Sequence, residues 1–269
     1  MSFRTKLFSG LRRIAYRMFT IFDRVFRIPE PRVVVFAYHS IAEDSWRYSI
    51  DRASFEQQIT RLLRKRKPRS LSELARHISG EAPFTEPSFV LCFDDGYRDI
   101  LDVFDFLRDS GVTPSVFPLA DRAHADTSEL GTDRAFLGTE ELRFLAKSGW
   151  EIGCHSATHR DMWALSSKQV AQETVGAKRM LESEVGVPIR FFAYPRGRST
   201  KVVRRALRDA GFLLALSMDD GFVEPGIDPF RVPRVGVDRT HTVSECETLF
   251  STSAIVFRAT VKRWLPSWF

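Results

Sequence analysis

The chain has 269 residues, 43% of them hydrophobic, which suits one α/β domain of barrel size or two small domains. Its net charge of +6 is unevenly spread, because residues 1–28 hold seven of the 40 basic residues and one of the 34 acidic ones. The rest of the chain carries 33 of each, which argues against a nucleic-acid-binding surface on the domain. The three cysteines lack C-x-x-C spacing and argue against a disulfide framework or a structural zinc site.

Residues 3–27 repeat apolar side chains at helical spacing and carry arginines on much of the opposite face; the apolar positions are Leu7, Leu11, Ile14, Met18, Phe22 and Val25. This pattern is typical of a basic amphipathic helix that lies in a lipid headgroup layer. The alternative is an ordinary helix docked on the domain. Pro29 and Pro31 end the helix and form a short linker.

From residue 33 onward, short apolar runs alternate with helical patterns. The predicted strands are 33–38, 88–93, 115–119, 150–154, 190–194, 212–217 and 231–235. The predicted helices are 54–66, 98–109, 139–147, 166–184 and 200–209, the first of them capped by Ser54. This alternation predicts an α/β fold with a parallel sheet of about seven strands, whose ligands bind at the carboxyl ends of the strands.

The C-terminal segment combines bulky apolar residues with basic ones, namely Val261, Trp264, Leu265, Trp268 and Phe269 with Arg258, Lys262 and Arg263. Such a composition is typical of interfacial anchors, although a tail packed on the domain fits nearly as well. The sequence has no evident secretory signal and no run of about 20 apolar residues. We therefore expect a cytoplasmic protein, peripheral on the inner face of the cytoplasmic membrane.

Two polar motifs follow predicted strands. Asp94 and Asp95 are adjacent carboxylates at the end of a buried strand, where a metal ion would offset their repulsion. His155 and His159 have i, i+4 spacing, which presents two imidazoles on one side of a helical turn. Two histidines and one carboxylate form a three-ligand catalytic metal site with open positions. Iron(II) oxygenases use the same ligand types, usually on all-β folds.

Three motifs in this order, strand–FDDG, strand–HSxxH and strand–YPxG, resemble the polysaccharide deacetylase family with NodB homology, over roughly residues 33–236. The resemblance implies a distorted (β/α)7 barrel that hydrolyses the N-acetyl group of an amino sugar. It implies Asp94 as the catalytic base and Asp95, His155 and His159 as metal ligands. The ligand set favours Zn²⁺ and also accepts Co²⁺, Ni²⁺, Mn²⁺ or Fe²⁺.

The chain departs from the family pattern at two places. Ala193 stands where the third motif commonly has an arginine, so Arg234 or Arg231 could orient Asp94 instead, and Tyr194 and the backbone N–H of Arg196 fall at the oxyanion and substrate position. The late catalytic histidine is missing from the C-terminal part. His39 follows the first strand instead, as in circularly permuted members, and we assign it as the general acid.

The predicted organisation is a basic helix and linker in residues 1–30, a catalytic domain in 31–240 and an amphipathic tail in 241–269. The expected substrate is an N-acetylated oligo- or polysaccharide, either free or lipid-linked, in exopolysaccharide or surface-glycan assembly. The membrane surface is expected to be bound through residues 3–27 and the tail. The main alternative is a non-catalytic member of the same fold that binds glycan or acts as a scaffold.

Overall fold

The computed structural model describes residues 3–30, 33–130 and 133–264, without the side chains of residues 3–8, 128–129 and 263–264. The strands are β1 (Val33–Tyr38), β2 (Ser40–Ile41), β3 (Ser49–Ile50), β4 (Lys67–Arg69), β5 (Ser88–Asp95), β6 (Ser115–Pro118), β7 (Glu151–Ile152), β8 (Phe191–Ala193), β9 (Leu214–Leu216) and β10 (Val235–Gly236). The α-helices are α1 (Phe3–Val25), α2 (Arg52–Leu63), α3 (Leu71–Ile78), α4 (Phe104–Asp109), α5 (Thr127–Leu130), α6 (Thr139–Lys147), α7 (Ser167–Ala171), α8 (Ala177–Val185), α9 (Lys201–Asp209), α10 (Val243–Thr248) and α11 (Thr252–Trp264).

Parallel strands follow one another around an irregular ring. Strands β10, β1, β5, β6 and β7 are hydrogen-bonded in that order. A bridge from Cys154 to Phe192 then leads to β8, which pairs with β9. A second bridge, from Leu216 to Val232, leads to the segment that continues into β10. The ring therefore has seven strand positions, and β1 fills the one between β10 and β5.

The side chains of β1 are buried on both faces of the sheet, in two separate apolar clusters. Val33 and Val35 lie in one buried cluster with side chains from β5, β6, β8 and β9. Val34 and Phe36 lie in the other, larger cluster, which includes the buried faces of α2, α6, α8 and α9. Side chains of a strand alternate between its two faces, so a run such as VVVFAY fits a strand buried on both. All six of its residues are buried.

Two helix boundaries differ from the predictions. Helix α2 begins after Asp51, whose side chain accepts the backbone N–H of Ser54 at 2.8 Å, so Asp51 and not Ser54 is the N-cap. The predicted long helix 166–184 contains a π-helical segment over Gln172–Gly176 between α7 and α8. This segment carries the buried Glu173, which contacts the site described below.

The N-terminal helix and the residues after 240 pack on the domain. Tyr16 of α1 is fully buried and belongs to the larger core cluster together with Phe250 and Ile255 from the C-terminal part. Arg12 donates to Glu245 at 2.9 Å, and Asp23 accepts the hydroxyl of Ser251 at 2.6 Å. These long-range contacts join α1, the strands of the ring and the segment after residue 240 into one core.

The tail prediction is only partly covered by the described residues. Leu265, Trp268 and Phe269 lie outside them, as do the side chains of Arg263 and Trp264. Arg258 is buried and Lys262 donates to the backbone carbonyl of Met218, as expected for the alternative of a segment packed on the domain. Among the helices of residues 3–30, 33–130 and 133–264, none is long and apolar enough to cross a membrane.

Candidate active site

A cavity of about 980 Å³ lies where the carboxyl ends of the strands meet. Eight of the candidate site residues line it, namely His39, Asp94, Asp95, His155, His159, Tyr194, Arg196 and Arg231. The C-terminal helix α11 supplies part of its wall through Val256, Ala259 and Lys262. The parallel arrangement of the strands thus brings together motifs that are up to 157 positions apart in the sequence.

Three of these residues form a compact set of potential metal ligands. Asp95, His155 and His159 each offer an atom within 4.8 Å of the others. The Nε2 atoms of the two histidines lie 3.4 and 3.6 Å from Oδ1 of Asp95. That carboxylate oxygen is buried and has no hydrogen-bond partner among the described residues. Because an unpaired buried carboxylate oxygen is costly, this convergence fits a divalent cation bound by two nitrogens and one oxygen.

The protonation of the histidines suits metal binding. Burial lowers the pKa of His155, and burial with the nearby His155 and His39 lowers the pKa of His159 to about 3. Both rings are therefore neutral near pH 7 and keep a lone pair for a metal. The carbonyl of Ala193 lies 2.8 Å from Nδ1 of His155, so Nδ1 carries the proton and Nε2 is the free ligand atom.

The pKa of the Asp95 carboxyl group is raised, whereas those of the two histidines are lowered. Burial, and then the negative charge of Asp94, raise its pKa to about 8 in the metal-free protein. A bound cation favours the ionised carboxylate and reverses this effect. The backbone of Asp95 has a positive φ of 66°, and the next residue, Gly96, would place a Cβ 2.8 Å from the backbone of Pro118. A glycine is therefore required directly after the carboxylate pair.

The two histidines are not on a helical turn. Residues 153–160 contain no helix, and both Ser156 and His159 have positive φ angles, of 72° and 65°. Glu173 holds this loop, since its carboxylate accepts the backbone N–H groups of Ala157 and Thr158 at 2.9 Å and the Thr158 hydroxyl at 2.6 Å. This role was not predicted from the sequence, because Glu173 has the spacing of an ordinary polar residue in a long helix.

Asp94 is held by a buried arginine. Arg234 donates from both terminal nitrogens to the two oxygens of Asp94, each at 2.7 Å, and both side chains are almost fully buried. Burial alone raises the pKa of Asp94, but the charge and hydrogen bonds of Arg234 outweigh it and hold that pKa well below its usual range. The other candidate, Arg231, is 59% exposed and lies 3.7 Å from Asp219. Arg234 therefore occupies the place that Ala193 leaves without an arginine.

His39 lines the cavity next to two aromatic rings. Its ring centre is 4.8 Å from that of Tyr48 and 6.4 Å from that of Trp46. Burial lowers its pKa to about 4, although the charge of Asp94 acts in the other direction. The following residue, Ser40, donates its hydroxyl to Asp99 at 2.6 Å. Asp99, which follows the FDDG motif, thus fixes the chain next to His39 and was not predicted from the sequence.

Tyr194 and Arg196 occupy the turn after β8. The hydroxyl of Tyr194 donates to the carbonyl of Phe230 at 3.0 Å, so this group is already engaged within the protein. Arg196 has a positive φ of 55° and lies beside the cavity. A Cβ on the next residue, Gly197, would come within 2.3 Å of the backbone nitrogen of Met218. The tight approach of these two turns fixes the backbone at Arg196.

The sequence profile of the family described as polysaccharide deacetylase matches residues 81–215, which is half of the chain and includes both metal-ligand motifs. The chain belongs to this family. Its architecture, an α/β barrel with seven strand positions, confirms the predicted distorted (β/α)7 barrel of NodB-homology type.

Individual relatives of this chain in the deacetylase family share little sequence identity with it. YxkH of Bacillus subtilis is 21% identical over 154 residues, 57% of this chain and 52% of that protein. A bifunctional xylanase/deacetylase of Pseudobutyrivibrio xylanivorans is 25% identical over 118 residues, 44% of this chain. The chain thus spans about half the length of the first relative and 18% of the second.

Solved structures share the fold over most of the chain. The deacetylase PplD of Streptococcus pyogenes, in complex with acetate, superposes with a TM-score of 0.71 at 17% identity, over 82% of this chain and 99% of that one. IcaB from Ammonifex degensii superposes with a TM-score of 0.68 at 22% identity, over 84% and 98%. At these identities the likeness establishes the fold.

Proposed function

We propose that this polysaccharide deacetylase family member is a metal-dependent hydrolase that removes N-acetyl groups from the amino sugars of a glycan. One observation carries the proposal: the buried, unpartnered Oδ1 of Asp95 lies 3.4 and 3.6 Å from the Nε2 atoms of His155 and His159. These atoms face a cavity large enough for more than one sugar ring.

The chain's own groups can be given roles in amide hydrolysis. A divalent metal on Asp95, His155 and His159, with Zn²⁺ the expected ion, would acidify water and polarise the acetyl carbonyl. Asp94 stays ionised because Arg234 holds its pKa low, so it is available to accept the proton of the attacking water. The backbone N–H of Arg196 would donate to the oxyanion.

His39 is the group we assign to protonate the departing amine. It lines the same cavity as Asp94, whose negative charge favours the protonated imidazole and so acts against the effect of burial on its pKa. Trp46 and Tyr48 flank it with ring faces and edges of the kind that pack against sugar rings. This side of the cavity is therefore the proposed position of the sugar that carries the acetamido group.

We also propose a lipid-linked glycan intermediate of exopolysaccharide or surface-glycan assembly as the substrate, acted on at the cytoplasmic face of the membrane. The amphipathic, basic pattern of residues 3–27 supports a membrane location. Fractionation of cells that express the full chain tests the membrane association, and protease protection of spheroplasts tests the side of the membrane. Recovery in the culture fluid or cleavage from outside would contradict the location.

The reaction is tested by measuring acetate and free amine released from an N-acetylglucosamine oligomer by the metal-loaded protein. We expect equal amounts of the two products, loss of both with Asp94→Asn, and no loss with Asp121→Asn, which changes an acidic residue outside the proposed machinery. A bound oligomer that stays fully acetylated would favour the alternative, a non-catalytic glycan-binding protein. Oxygen consumption coupled to substrate loss would favour an iron(II) oxygenase, which the parallel α/β fold disfavours.

A further inference from the structure

Helix α1 is held on the domain by one face only. Arg12 bonds to Glu245 and to the carbonyl and hydroxyl of Thr240, at 2.8 to 3.1 Å. Tyr16 is fully buried, and Asp23 accepts hydrogen bonds from the chain at the start of α11, around Ser251. These contacts recur over three turns on the same side of the helix. They fix which side of α1 faces outward.

The outward side is an apolar stripe. Seven large hydrophobic side chains of residues 11–26 are between 46% and 67% exposed: Leu11, Ile14, Met18, Ile21, Phe22, Val25 and Phe26. They are half of the 14 exposed large hydrophobic side chains in the described part of the chain. With 100° of rotation per residue, six of the seven fall within about 100° of one another, opposite Tyr16 and Asp23. Such a concentration on one helix indicates a binding surface and not scattered exposure.

Arginines border the stripe on one flank. Arg13, Arg17 and Arg24 are exposed and project between the docked face and the apolar face. The only acidic residue of α1, Asp23, is buried against the domain. The outward half of the helix therefore presents apolar side chains edged by positive charge, with no acidic residue of its own to neutralise it.

We propose that this stripe, which runs from Leu11 of α1 to Phe26 directly after the helix, binds the surface of an anionic lipid bilayer, with the apolar side chains below the headgroups and Arg13, Arg17 and Arg24 at the phosphates. An apolar face edged by arginines matches the depth profile of a bilayer surface, where hydrocarbon lies beneath negative headgroups. A second copy docked through the same stripe would bring three arginines from each chain together without acidic partners. Charge therefore favours lipid over self-association.

The position of α11 gives this surface a consequence for catalysis, and that consequence rests on the proposed function. Helix α11 packs against α1, where the rings of Phe19 and Phe257 lie 5.1 Å apart. The same helix lines the cavity through Val256, Ala259 and Lys262. One helix thus separates the membrane-binding stripe from the site. We infer that a glycan attached to a lipid in the same bilayer enters the cavity beside α11.

Co-sedimentation of the full chain with vesicles tests the surface itself. We expect binding to vesicles that contain phosphatidylglycerol and little binding to pure phosphatidylcholine. Changing Arg13, Arg17 and Arg24 together to Gln is expected to weaken binding roughly 100-fold, at about fivefold for each arginine near an anionic surface. Changing Ile14, Met18 and Val25 together to Ser is expected to abolish binding to both vesicle types.

The matched control changes Met180, Val202 and Leu213 to Ser, because these side chains are 45% to 55% exposed on other parts of the domain. Equal loss of binding with this control, or no binding by the unchanged protein, would overturn the proposal. So would a dimer in solution that the Ile14/Met18/Val25 variant dissociates. Deacetylation of a free, soluble oligomer is measured alongside and is expected to stay unchanged in all variants. Vesicle binding without any deacetylation would refute the proposed function and leave the lipid surface standing.

Discussion

Replacing Arg234 by leucine removes the only side chain that bonds to both oxygens of Asp94 in the described structure. Asp94 is then a buried carboxylate without a counter-charge. Breaking one partner of a buried ion pair typically costs about 3–5 kcal/mol of unfolding free energy. Because burial no longer has an opposing charge, the pKa of Asp94 rises. We therefore expect Arg234→Leu to be both less stable and less active.

The loss of activity follows from the protonation of the base. General-base catalysis contributes typically about 10²- to 10⁴-fold, so kcat/KM at neutral pH is expected to fall by a factor in that range. The sign of the pH effect follows from the pKa shift. In the unchanged protein the low pKa keeps Asp94 ionised, whereas in the variant the acidic limb of the rate profile moves to higher pH. Raising the pH should therefore recover part of the activity.

The assay combines urea unfolding with initial rates of acetate release from pH 5 to 9. Arg231→Leu is the matched control, since that arginine is 59% exposed, and we expect its unfolding free energy to change by less than about 0.5 kcal/mol. Adding Asp94→Asn to Arg234→Leu should restore stability without restoring activity, because the buried charge is gone. A stable, active Arg234→Leu protein with an unshifted pH profile would refute this reasoning.

Three further experiments, one on metal uptake and two on substitutions, test other parts of the site. Metal uptake by the metal-free protein at pH 7 should release about 0.9 proton, because the pKa of Asp95 is about 8 before the metal binds. Metal affinity should therefore fall nearly tenfold for each pH unit below that value. Calorimetry in buffers of different ionisation enthalpy measures the proton release, and metal binding without proton release would contradict the prediction. Glu173→Gln should weaken metal binding about 10- to 100-fold by loosening the loop around Thr158, as metal titration would reveal, while Glu182→Gln serves as a control in the adjoining helix α8. His39→Gln should lower kcat about 10²- to 10⁴-fold with metal content unchanged; loss of the metal instead would make His39 a ligand and not the acid.

The alternation of apolar runs and helical patterns was sufficient to predict an α/β fold with a parallel sheet, whereas the closed barrel was implied by the family resemblance. The motifs after the strands supplied the carboxylate and the two histidines that the structure brings together. Hydrophobic periodicity indicates which segments are strands. The carboxyl ends of parallel strands lie at the same edge of the sheet, whichever strands are neighbours. The irregular closure of the ring was not predictable. It depends on two isolated bridges, at Cys154 and Leu216, that carry no sequence signal of their own.

The details that remained hidden all depend on long-range contacts. The i, i+4 spacing of His155 and His159 suggested a helical turn, but Glu173 stabilises a loop with positive φ angles there. The choice between Arg231 and Arg234 was open until the barrel placed one of them against Asp94. In the same way, the apolar period of α1 was visible in the sequence, whereas its docked face is defined by partners more than 220 residues away, such as Glu245.

The most direct test of the metal-centred site is a titration of the chelator-treated protein with Zn²⁺, followed by acetate release from an N-acetylglucosamine oligomer. We predict that the rate rises linearly with added metal and reaches its plateau at one ion per chain. Asp95→Ala, His155→Ala and His159→Ala should bind the ion much more weakly and release no acetate at that stoichiometry. Acetate release that is independent of added metal, or that survives these three changes, would contradict the account.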